Sequence, residues 1–376
     1  MAKTLQVLDT EYSADSVEWC PHDGYQDILL CGTYQLDQSK DSQEDSSVPQ
    51  TRLGKLHTYR LKEEEETQSL DHVQTTDMPG ILDIKWCPSL IDNQSLFGLV
   101  NSIGELQIYQ LNDDGKSVFV TSTELGTEVL GLSLDWANRV HNSSDPEISC
   151  SSSDGNISIC KFHQGQLKCT SNWKAHDFEA WITAFNYWNT NIVYSGGDDC
   201  KFKGWDCRQD TSSPIFVSKR HSMGVCSIQC HPFKENVLST GSYDENLFIW
   251  DTRNMRSPIA ETNLRGGVWR IKWDSQKSDY IITATMYNGF HVVDASEFSD
   301  GKLSVVCHYD KQESIGYGAD ICYKHSVDSE RHDTMMGDNS TINFNRTIAT
   351  CSFYNHVLHL WNFSTSETSQ NKENKD

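Results

Sequence analysis

The 376-residue chain predicts an all-β fold, a closed ring of seven four-stranded sheets, on three observations. The first is a repeat. In Ala175–Arg208 and Arg220–Arg253, residues His221, Thr240, Asp244 and Trp250 each follow His176, Ser195, Asp199 and Trp205 by 45 positions. A fixed period of that size marks stacked supersecondary units. The second is local: short runs rich in Val, Ile, Thr and aromatics are bounded by Gly, Asn, Asp and Ser, and no long stretch has helical periodicity. The third is TLQVLDTEY (Thr4–Tyr12), a strand with no partner where it stands. It is expected to supply the outer strand of the last unit, which closes the ring and removes open sheet edges.

The units follow in order. Asp15–Leu61 holds DSVEWCPHDGYQDILLCGTYQL and RLGKLHTYRL. Ile81–Leu111 and Val129–Phe162 are weaker copies, ILDIKWCPSL with LFGLVNSIGELQIYQL and VLGLSLDWANRV with EISCSSSDGNISICKF. The two best units come fourth and fifth. The sixth, Gly266–Asp294, is degenerate: Val293 replaces the Trp of the Trp-Asp pair and Leu264 stands where a histidine is expected. The seventh is Ile315–Phe363. Residues 1–363 therefore read as a single seven-bladed β-propeller. Polar loop insertions are expected at about 37–51, 62–72 and 326–346, and a disordered tail at 364–376.

Lys and Arg number 31 against 53 Asp and Glu, a net charge of −22 that opposes direct binding to nucleic acid or anionic membrane and favours a cationic partner. No run of apolar residues is long enough to span a bilayer, and the N-terminus lacks a secretory signal, so the expected compartment is the cytoplasm, with the nucleus as an alternative. The 13 cysteines are scattered without a CxxC pair and read as reduced core thiols. Cys226, Cys230 and His231 lie in one predicted strand, where a rise of about 3.3 Å per residue separates the two sulfurs by roughly 13 Å. No metal site is expected there or elsewhere, and no cofactor.

In the two best units, His at the start, Ser or Thr on the second strand, Asp in the turn and Trp on the third strand resemble the WD-repeat family. That resemblance implies a structural tetrad in each: His176, Ser195, Asp199 and Trp205, and His221, Thr240, Asp244 and Trp250. A buried carboxylate and indole N–H need partners, and a closed network supplies them without catalysis. The strings DTEYSADSVEWCP, LLCGTYQL, ILDIKWC, SLDW, KAHDFEAWITAFNYW, IVYSGGDD, SKRHSMGVCSIQ, GSYDENLFIWDTRNM, GGVWRIKW, YGAD and ATCSFYNHVLHLW run in order through nearly the whole chain. They resemble the WD-repeat diphthine methyl esterase family, also called diphthine methyltransferase. The acidic first-blade insertion and the length of the last one depart from it. The resemblance implies a carboxylic ester hydrolase that removes the methyl ester of methylated diphthine, a modified histidine of translation elongation factor 2, before the final amidation of diphthamide biosynthesis.

That substrate side chain carries a trimethylammonium, a group held by aromatic faces with nearby negative charge. Such propellers commonly bind through the residue before the tetrad Asp and the first residues of each inner strand. Placing that pattern here selects Tyr34, Asp198, Tyr243 and Tyr354, and Asp15, Trp181, Cys226, Trp269 and Tyr317, with Glu179 as a further residue the repeat does not require. The expected substrate-binding set is Tyr34, Glu179, Trp181, Cys226, Tyr243, Trp269, Tyr317 and Tyr354. Candidate catalytic groups are Asp198, His356 and Asp15, with Cys226 a less favoured nucleophile; there is no G-x-S-x-G elbow and no H-E-x-x-H. The rival reading is a noncatalytic interaction platform. Trp205-Asp206-Cys207-Arg208 and Trp250-Asp251-Thr252-Arg253 resemble the box by which substrate receptors dock on a cullin ligase adaptor.

Overall fold

The computed structural model describes residues 1–37, 50–64, 67–276, 279–324 and 342–367. Seven sheets follow one another around a central channel. Their inner strands are Ala14–Trp19, Ile81–Trp86, Gly131–Trp136, Ile182–Phe185, Val225–Cys230, Val268–Trp273 and Gly316–Ile321. The N-terminal strand, Ala2–Asp9, lies antiparallel to Val357–Glu367 and completes the seventh blade. Closure therefore joins the first residues to the last described strand. No described helix is long and apolar enough to cross a membrane.

Three expectations are corrected. Residues 62–72 are not a loop: Arg52–Glu64 and Thr67–Pro79 form a long hairpin paired from Leu53↔Pro79 to Glu64↔Thr67. Its charged, solvent-facing residues imitate loop composition because an outermost strand has little to bury. Likewise Ile342–Ser352 and Val357–Glu367 run as paired strands into the segments read as insertion and tail; the rest of those segments, and of 37–51, lies largely outside the described residues. Finally, Cys160 and Cys169 face each other across a hairpin of the third blade and form a disulfide, while the other eleven cysteines are free. Strand register, which spacing alone does not reveal, creates that pair.

The inner strands solve an edge problem. Each presents unpaired backbone N–H groups to the channel, and buried N–H groups require acceptors. Side chains of the preceding blade supply them: Asp320 accepts from Trp19 N at 2.7 Å, Ser16 from Ile84 N at 3.3 Å, Asp83 from Leu134 N at 3.3 Å, and Asp135 from Phe185 N at 2.8 Å. Gln229 does the same for Trp273 N at 2.8 Å. The buried carboxylates are then balanced by cations: Lys85 contacts Asp83 at 3.0 Å and Glu18 at 3.3 Å, Arg270 contacts Asp83 at 3.0 Å, and Lys272 pairs with Glu18.

Within blades four and five the polar chains are closed. Trp205 Nε1 donates to Ser195 Oγ at 2.9 Å, Ser195 lies 2.7 Å from His176 Nε2, and His176 Nδ1 lies 2.8 Å from Asp199. Trp250, Thr240, His221 and Asp244 repeat this at 2.8, 2.8 and 3.0 Å. An indole only donates, so the hydroxyl oxygen accepts from Trp, and the imidazole links that hydroxyl to the carboxylate through its two ring nitrogens.

Burial holds His22, His57 and His176 below the ordinary imidazole range and lowers His291 and His359 to about 4. These rings stay neutral in the fold and take up protons on unfolding. At these five rings the unfolded chain binds more protons between about pH 4 and 6.5, a slope of up to about 1.4 kcal/mol per pH unit each, and they outnumber the carboxyls of Asp15, Asp135 and Asp320, raised by burial, which act in the opposite sense. Thermal melts should show stability falling as pH drops from 7 to 5; an unchanged midpoint would contradict the neutral, buried assignment.

Candidate functional site at the channel mouth

Six of the seven inner strands carry a register shift at their second residue. A bulge inserts one residue and re-aims its side chain. The residues so placed are Asp15, Leu82, Leu132, Cys226, Trp269 and Tyr317; in the fourth blade Trp181 stands just before the strand. Asp15, Leu82, Leu132, Trp181, Cys226 and Trp269 accordingly meet around one small cavity, together with Ser133, Ile182 and Arg270.

Above it the aromatic candidates form a continuous arc across five blades. Trp181, Tyr243 and Trp269 make a triangle with centroids 5.6–6.4 Å apart. Trp269 then meets Tyr317 at 4.8 Å, Tyr317 meets Phe353 at 4.9 Å, and Phe353 reaches Tyr34 at 6.0 Å and Tyr354 at 5.1 Å. These are ring-to-ring packing distances. The arc is therefore a floor whose outward faces are available, not an open cage between rings.

The acidic candidates divide. Asp198 accepts the Trp181 indole N–H at 3.1 Å and is itself exposed, placing a carboxylate at the edge of the triangle. Half-buried Glu179 lies on the segment entering Trp181, its carbonyl accepting Asp198 N at 2.9 Å. Asp15 is buried beneath the arc; desolvation raises its pKa to about 8, with the Arg270 charge opposing and Asp83 reinforcing the rise. Cys226 is also buried there, its thiol pushed well above the ordinary range by desolvation and directed to Gly224 O at 3.3 Å. It is thus a neutral wall group, which removes it as a nucleophile at neutral pH.

His356 is not brought to the mouth by any ring or polar side-chain contact among the described residues. With φ of 57° it fills the left-handed turn position that Cys200 and Glu245 hold in blades four and five. Its carbonyl accepts Thr10 N at 2.9 Å. The sequence reading passed over Phe353, Tyr287, Ser133 and Arg270. Tyr287 precedes Asn288 as Tyr243 precedes Asp244, so the repeat itself carried that signal. It is exposed and, with Tyr354, Asp310 and Glu313, lines a groove of about 640 Å³ beside the arc. Among the described residues no cluster of His, Cys, Asp and Glu is arranged to hold a metal.

On the outer surface, Arg208 grips Asp206 at 2.7 and 2.8 Å and Arg253 grips Asp251 at 2.6 and 2.9 Å. Both arginines of the Trp-Asp-x-Arg motifs are thereby turned onto the aspartate of their own motif.

The fold and mouth define a WD-repeat β-propeller with an aromatic, acid-edged channel entrance. No family model matches the chain. A chain in the crystal structure of the mitotic checkpoint complex shares the fold, with a TM-score of 0.67 at 14% identity over 96% of this chain and 94% of that one. The mouse protein named diphthine methyltransferase is 42% identical over 85% of this chain and 69% of its own length. The Dictyostelium discoideum diphthine methyltransferase homolog is 37% identical over 96% of this chain and 98% of its own. The chain belongs to the diphthine methyltransferase family.

Proposed function

We propose that this propeller acts in diphthamide biosynthesis by hydrolysing the methyl ester of methylated diphthine on translation elongation factor 2. The observation that carries the reading is the aromatic arc with Asp198 at its edge and the buried carboxyl of Asp15 beneath it. The substrate presents a trimethylammonium and a methyl ester on one side chain. The cation would rest on the outward faces of Trp181, Tyr243 and Trp269, beside the Asp198 carboxylate, where ring quadrupoles and charge act together. The ester would then point toward the channel.

A net charge of −22 adds long-range attraction for a cationic group. Hydrolysis, rather than addition of a methyl group, suits an entrance in which a carboxyl with its pKa raised to about 8 lies below a cation-binding surface, since ester cleavage needs both a base and a donor for the leaving methoxide.

Purified protein incubated with methylated elongation factor 2 should lower the factor's intact mass by one CH2, a methyl exchanged for a hydrogen, and release methanol, both followed by mass spectrometry. An unchanged mass with folded protein would refute the reading.

A further inference from the structure

The cavity under Trp181 and Trp269 measures about 30 Å³, roughly the share of one water molecule in the liquid. Its walls contain polar atoms with nothing to bond. Ser133 Oγ and Trp269 Nε1 are both buried without a hydrogen-bond partner. Asp15 is 6% exposed, and the interactions acting on its carboxyl are the charges of Arg270 and Asp83, with no hydrogen bond among them. Unpaired buried donors and acceptors each cost free energy of about 1–3 kcal/mol. Two of them, from blades three and six, converging with the Asp15 carboxyl of blade one on one water-sized space therefore point to a bound water, which needs two to four polar partners.

We infer that this cavity seats the hydrolytic water, with Asp15 as its general base and Ser133 and Trp269 as the groups that position it. The inference rests on the ester-hydrolase reading above. Trp269 Nε1–H donates to the water oxygen, one water hydrogen points to the Asp15 carboxylate, and the other to Ser133 Oγ. One lone pair remains for attack. Asp15 takes a proton as the water oxygen bonds to the ester carbonyl carbon. The tetrahedral intermediate collapses by breaking the bond to the methoxy oxygen, which recovers that proton from Asp15 and leaves as methanol. The new carboxylic acid loses its proton to solvent, and Asp15 is again a carboxylate.

The titratable neighbours of Asp15 are Arg270, Asp83, Tyr243, Tyr317, Cys31, Cys226 and Cys351. Burial raises both phenols and all three thiols, and the neighbouring cations lower Asp83, so none of these changes charge between pH 7 and 9, where Asp15 does.

Methanol release should therefore rise with pH through about 8. Asp15→Asn should lower kcat by about 10²–10⁴-fold and abolish that pH dependence. Ser133→Ala and Trp269→Phe, which keeps the ring and deletes the N–H, should each lower kcat by roughly tenfold, one hydrogen bond's worth, with KM little changed. A single turnover in ¹⁸O-water should place the label in the product carboxylate and none in the protein. A folded Asp15→Asn protein that keeps turnover and pH profile overturns the inference, as does label in Asp15, which would make it the nucleophile. If Asp15→Asn fails to fold, unchanged kcat in both other variants overturns it. Inert wild-type protein would refute the ester-hydrolase reading together with this inference, whereas active wild type with indifferent variants refutes the water site alone.

Discussion

Replacing Asp83 by alanine should destabilise the protein by about 3–5 kcal/mol, the usual effect of removing one partner from a buried ion pair. Asp83 is fully buried, and one carboxylate serves four groups: Lys85 Nζ at 3.0 Å, the Arg270 guanidinium at 3.0 Å, and the backbone N–H groups of Ile84 at 3.1 Å and Leu134 at 3.3 Å. Despite the opposing effect of burial, Arg270 and Lys85 hold its pKa below the ordinary carboxylate range, so it enters the fold charged. Alanine leaves the guanidinium without its ion-pair partner in the channel and removes the acceptor on the third blade's inner strand. Lys85 retains Glu18 at 3.3 Å, which keeps the loss from being larger. Asp83→Asn restores an acceptor for Leu134 but no charge, and should recover only the smaller, hydrogen-bond part, about 1 kcal/mol. Urea denaturation of the three proteins would measure both steps. A stability within about 0.5 kcal/mol of wild type for Asp83→Ala, the range of ordinary surface substitutions, would show that the channel charges are solvated and that the ladder is not structural.

The same residue shows which features a sequence can and cannot disclose. Asp83 lies in ILDIKW, where a charged pair interrupts an apolar run, and the pattern recurs in DSVEW, LSLDW and VWRIKW. Each interruption is visible, but its partner belongs to a different blade: Arg270 reaches Asp83 across 187 positions of chain. The tetrads were legible because their four side chains belong to one blade and repeat at one interval. The aromatic arc was legible slot by slot for a related reason, since the bulged second residue of each inner strand and the residue before the turn occur at fixed places in every unit. Phe353 bridges Tyr317 to Tyr34 from outside those slots, so the slot rule passes over it. Ser133 acquires meaning only when the ring closes and sets it against Asp15 and Trp269. His356 is the opposite case: a histidine in a turn invites a chemical reading, and its backbone conformation supplies a structural one that the residue type alone does not disclose.

Removing both Trp181 and Tyr243 as alanines should weaken the productive binding of methylated elongation factor 2 by about 30–150-fold. Two partly desolvated rings facing a quaternary ammonium contribute about 1–1.5 kcal/mol each, and 1.4 kcal/mol is a factor of ten in affinity. The double variant is more informative than either single one, because the rings lean on each other at 6.4 Å and both contact Trp269. Residues in mutual contact do not contribute additively, so one ring shifting into the space of the other would mask a single loss. Trp181 also donates to Asp198 at 3.1 Å; its removal frees that carboxylate to move, which weakens the acidic edge of the floor as well. The loss should fall mainly on KM, since in the proposed binding mode these rings would touch the cation and not the ester. An uncharged substrate analogue, with tert-butyl in place of trimethylammonium, separates charge recognition from simple burial of methyl groups. Wild-type protein should prefer the cation to this isostere, and the double variant should lose that preference. Equal discrimination by both folded proteins, or an unchanged KM, would place the cation elsewhere and leave the arc a blade-packing feature.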